Sequence, residues 1–93
     1  MVTEAVVKES LSSEMLRAGG ELTRRLDEAG FVISASLWLY MPEINTWRFV
    51  IGSPEVRTQG PKKAYRRVQS VISKLPSDLP KIPLKDITVN RFK

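Results

Sequence analysis

The spacing of apolar residues changes at Gly30, and that change commits the chain to a fold that mixes helix with strand. Before it, Leu11, Met15, Ala18, Leu22, Leu26 and Ala29 recur three or four positions apart, as one stripe of a helix does. After it, Phe31, Ile33, Ala35, Leu37, Leu39 and Met41 recur every second position, as one face of a strand does. Gly30 itself supplies a left-handed cap to the helix, with Phe31 placed to pack on Leu26.

Around the helical stripe, Glu14, Arg17, Glu21, Arg24, Arg25 and Glu28 form a solvated outer surface, with Glu21 and Arg25 at the favourable i, i+4 spacing. Gly19-Gly20 costs about 1 kcal/mol per glycine relative to alanine inside a helix. The pair therefore marks either a break or a close approach of another backbone. Residues 1–10 suit either a continuation of this helix or a loose N-terminus.

In the first strand the odd-numbered face is expected to meet the helix, which turns Val32, Ser34, Ser36, Trp38 and Tyr40 outward. Trp47, Phe49 and Ile51 repeat the apolar parity after a turn holding Pro42, Glu43 and Asn45, so the two runs read as a β-hairpin with a loop of three to five residues. Gly52-Ser53-Pro54 ends the second strand. Gly60-Pro61 opens a second helix, with proline where its missing N–H costs nothing. Its buried stripe is Ala64, Val68, Val71, Ile72 and Leu75, and Pro76 stops it. Residues 76–84 hold Pro76, Pro80 and Pro83 and suit an extended covering segment. Ile87 and Val89 then carry strand spacing, for a third strand that either docks on the hairpin edge or belongs to a longer polypeptide.

The expected fold is a single α+β domain over residues 1–93. It is a small two-layer sandwich in the order helix, strand, strand, helix, then a third C-terminal strand, with both helices on one face of a short antiparallel sheet. At 93 residues and 42% apolar content, such a domain buries roughly 60–65% of its unfolded surface.

The chain has no cysteine and no histidine, which removes disulfides, the common zinc and iron ligand sets, and histidine- or thiol-based catalysis. A metal-dependent nuclease would need acids inside the strands, and neither strand has one: Glu43 falls in the turn and Glu55 past the strand end. The expectation is a non-enzyme with no cofactor and no metal. The N-terminus has neither the basic nor the apolar region of a secretory leader, and Phe31 to Met41 is too short to span a bilayer, so a cytoplasmic protein is expected, with no membrane partner.

Charge supplies the functional lead. Residues 1–47 carry seven acids against four bases, and residues 48–93 carry three acids against eleven bases. Lys62, Lys63, Arg66, Arg67 and Lys74 lie on the second helix, which has no acid, and Arg57 precedes it. A one-sided basic helix is the footprint of a polyanion-binding surface. Lysines in a first turn also oppose the helix dipole by about 0.3–1 kcal/mol each, a local conflict that an anion bound there resolves. Its bland counterpart is a solvated face that serves solubility or pairs with the acidic first helix.

Gly60-Pro61-Lys62-Lys63-Ala64-Tyr65-Arg66-Arg67 resembles the glycine, lysine pair and alanine that open the last helix of double-stranded-RNA-binding domains. In that family the lysines contact phosphates across the major groove. The resemblance covers about eight residues, and the family places three strands between its helices where this chain has two, so it implies a mode of phosphate contact and not membership.

A second surface is expected on the outer face of the hairpin, where Trp38 and Tyr40 would stand with Arg48. Aromatic rings beside arginine serve base stacking, a cross-strand cation–π pair, or a protein interface. The expected partners are thus nucleic acid on the second helix or, alternatively, a protein partner or second copy on the hairpin face or along the C-terminal strand.

Overall fold

The computed structural model describes residues 11–79 and 81–91, and the expectation for residues 1–10 lies outside them. Helix α1 spans Ser13–Glu28, with the Ser12 hydroxyl accepting from the Met15 N–H at 3.1 Å. At its end Phe31 N–H reaches Leu26 O (2.9 Å) and Gly30 N–H reaches Asp27 O (3.0 Å), with Gly30 at φ 84°. These are the two bonds of a Schellman cap, and Leu26 and Phe31 are both fully buried beside it.

Strands β1 (Ala35–Met41) and β2 (Thr46–Gly52) form the expected hairpin, and Asn45 takes the left-handed turn position at φ 52°. Helix α2 (Glu55–Gln59) was not anticipated from the sequence; the Ser53 hydroxyl caps it by accepting from the Glu55 N–H at 3.1 Å. Gly60, at φ 88°, turns the chain into α3 (Pro61–Ser73), which has Pro61 at its first position. After α3, Leu79 and Ile82 bury in the covering segment, a 3₁₀ turn spans Leu84–Asp86, and β3 follows at Ile87–Asn90.

The domain is α+β, with sheet order β1-β2-β3 and β2 in the centre. The expected all-antiparallel sheet is corrected here: β3 runs parallel to β2, pairing Phe49 with Ile87 and Ile51 with Val89. A return through two helices and a covering segment brings the chain back to the end of the sheet where β2 began, as a crossover connection does. Phe49, Ile51, Ile87 and Val89 share one face of the sheet and meet Ala18, Leu22 and Leu26 of α1 and Ala64 and Val68 of α3.

The phase of β1 is a second correction. Trp38 pairs with Phe49 and Tyr40 with Trp47, so the even residues of β1 look toward the helices, and Leu37 and Leu39 face outward. The cause is a bend at Ser34, since β1 begins only at Ala35. Phe31 and Ile33 reach the core from outside the strand, and the alternation restarts after the bend in the opposite phase.

Candidate polyanion-binding face

Ala64 and Val68 anchor α3 on the core, and a helix turns about 100° per residue, so Lys62, Lys63, Arg66, Ser70 and Ser73 occupy its solvent arc. Lys62, Lys63 and Arg66 are exposed, as are Arg57 on α2 and Lys74 at the α3 C-cap. Among the described residues, ion pairs engage Arg24, Arg25, Arg67 and Lys85, and none of these five cations. The first turn of α3 contains no acid, and no side chain caps its N–H groups.

Arg67 differs from its neighbours. It stands at the border of the buried arc, where Nη1 donates to Glu55 Oε1 and Nη2 to the Ala29 carbonyl, both at 3.0 Å. Its guanidinium carbon also lies 5.3 Å from the centroid of the Phe31 ring. The structure therefore places this basic residue as an internal clamp between α1, α2 and α3. Glu55, the acid that pairs with Arg67, is 8% exposed and points inward. It accepts from the Val32 N–H at 2.9 Å, from Arg67 and from Gln59. Ser53 completes this knot by donating to the Val32 carbonyl. Sequence reasoning weighed Glu55 only as a metal-type acid; the signal for its structural role was Ser53-Pro54-Glu55 at a strand end, where a hydroxyl and a carboxylate can satisfy a helix start.

The hairpin residues expected to form one surface are separated. Trp38 packs on Phe49 with ring centroids 5.0 Å apart, and Tyr40 packs on Trp47 at 5.2 Å while its hydroxyl donates to Asn45 Oδ1. Arg48 lies on the opposite, open face across from Leu39, and its Nε donates to Thr88 Oγ1 at 2.8 Å. The β1 phase shift is the reason.

No protein-family model matches this chain, and no curated protein or solved structure matches it significantly. The fold defines the class as a small α+β domain with a mixed three-stranded sheet. Among the described residues, no helix is long and apolar enough to cross a membrane.

Proposed function

We propose that this domain is a non-catalytic, cytoplasmic binding module that docks nucleic-acid phosphates on the outer face of α3. Lys62, Lys63 and Arg66 form the centre of the contact, with Arg57 and Lys74 extending it at either end. One observation carries the reading: these cations are exposed and outside every ion pair among the described residues, while Glu55 on α2 is turned inward and held by Arg67. Affinity then comes from phosphate neutralisation and counterion release, with little sequence preference.

Fluorescence anisotropy with labelled duplex RNA, duplex DNA and single-stranded DNA, titrated at low and near-physiological salt, tests it. Three to five phosphate contacts on duplex DNA give a log–log salt slope of about −3 to −4.5. Lys62→Glu/Lys63→Glu weakens binding to every form while the far-UV spectrum stays unchanged. If that variant binds as tightly as the wild type, the site is wrong; if no form binds at low salt, so is the function.

A further inference from the structure

The two edges of the sheet differ in how their backbone groups are covered. At β3, a strand of four residues, the Tyr65 hydroxyl accepts from the Val89 N–H at 2.9 Å, and Lys85 and Arg91 flank the strand. Short length, a covering side chain and flanking charge are the means by which proteins protect a sheet edge. β1 is longer and, among the described residues, no side chain is seen to cap its outer backbone groups: its seven residues, Ala-Ser-Leu-Trp-Leu-Tyr-Met, include no charge and no proline, Pro42 and Glu43 follow only in the turn, and β2 is its one neighbour among the described strands.

The apolar surface gathers on the same side. Among the described residues, the exposed large hydrophobics, Leu16, Val32, Leu37, Leu39 and Ile44, lie on β1, on the segments either side of it, or on the facing side of α1. Leu37 and Leu39 are 44% and 48% exposed. A groove of about 300 Å³ runs between α1 and this edge, lined by Leu16, Gly19, Gly20, Thr23 and Ser36 among others.

We infer that the β1 edge pairs with the β1 edge of a second copy of this chain, antiparallel about Trp38, to give one six-stranded sheet across a two-fold axis. Trp38 is the midpoint of β1, so this register pairs all seven residues. It sets Leu37 opposite the partner's Leu39, twice by symmetry, which joins four leucines on the open face. On the helix side it sets Ser36 opposite the partner's Tyr40, so the larger ring meets the small residues that line the groove.

Charge selects this mode over the alternatives. The chain carries a net charge of +5, and α3, with the exposed Lys62, Lys63 and Arg66, packs on α1 and β3, toward the other edge of the sheet. Stacking two open sheet faces would bring Arg48 of the central strand against its own copy, whereas β1 brings no charge to the contact. Uncharged, self-complementary edge pairing is thus the contact at which two such chains repel least. A contact made through one seven-residue edge belongs with the smaller specific interfaces, roughly 1,200 Å² or less, and weak, concentration-dependent association is expected of it.

Sedimentation of the full chain over roughly 1–500 µM tests the proposal, because a self-associating mass depends on concentration. The mass is expected to rise from monomer to dimer and no further. Leu37→Glu/Leu39→Glu sets like charges opposite each other in the paired register. It is expected to raise the dissociation constant at least tenfold, about 1.4 kcal/mol. Lys62→Glu/Lys63→Glu is expected to leave it unchanged, which separates this proposal from the phosphate-binding one. Hydrogen exchange on the wild type gives an independent reading, with β1 amides gaining protection as concentration rises. A monomer throughout, whether because residues 1–10 of the same chain cover the edge or because nothing does, overturns the proposal. So does a dimer indifferent to the glutamates, or one whose β1 amides show no concentration-dependent protection.

Discussion

Gly19 on α1 sits directly against Trp38 on β1: a Cβ added at Gly19 would stand 2.9 Å from the indole Nε1 and 2.8 Å from Cε1 of Phe49. The helix approaches the sheet this closely because position 19 has no side chain, so Gly19 accounts for part of the glycine pair in α1. Gly20 is one position round the helix, and a Cβ there meets nothing within 4 Å.

Adjacent glycines in one helix are therefore expected to respond with opposite signs. Gly19→Ala gains helix propensity but forces two aromatic rings apart, with a net destabilisation of about 1–2 kcal/mol. Gly20→Ala gains the propensity alone and stabilises by about 0.5–1 kcal/mol. Urea denaturation of the two variants measures both; equal shifts would show that α1 is free to move away from the sheet.

Arg67 is expected to behave as a structural residue amid a binding face. Arg67→Ala leaves the inward-turned Glu55 with one fewer donor and removes the bond to the Ala29 carbonyl, at a cost of about 1–3 kcal/mol. Alanine at Lys62, Lys63 or Arg66 should change stability by no more than about 0.5 kcal/mol while weakening phosphate binding. Chemical denaturation and anisotropy on the same four variants separate the roles. Arg67→Ala with full stability and a large loss of binding would return Arg67 to the binding face.

The surface of α1 predicts a small acid sensitivity. Hydrogen bonds from Arg24 and then Arg25 hold the Glu21 carboxyl below the usual glutamate range, and Glu21 correspondingly raises the pKa of the Arg24 guanidinium. A depressed carboxylate contributes stability that is present above its unfolded pKa and is lost as pH falls through its folded value. Carbon-detected NMR titration is expected to place the Glu21 midpoint below the usual glutamate range. The wild-type advantage over Glu21→Gln should then be constant at neutral pH, shrink on acidification and weaken in salt. An unshifted midpoint would mean that the two arginines are solvated instead.

The elements read correctly from the sequence are those whose determinants lie within a few residues. Gly30 and Phe31 close α1, Pro61 starts α3, and Trp47, Phe49 and Ile51 set the phase of β2, because caps, turns and alternation act over one or two turns of chain. The exposure of Lys62, Lys63 and Arg66 was legible in the same way, from the position of Ala64 and Val68 on the helix.

Tertiary structure decided the rest. Both phases of β1 are apolar, with Leu37 and Leu39 on one side and Trp38 and Tyr40 on the other, so periodicity alone could not choose between them. The bend at Ser34 and the close fit of Trp38 between Phe49 and Gly19 made the choice. The parallel docking of β3 and the inward role of Arg67 depend on Phe49, Glu55 and Ala29, which lie 12 to 38 positions away along the chain. Local propensity determines which segments become helix or strand; which face is buried and which charge is held inside follow only when distant segments meet and compete for the same space.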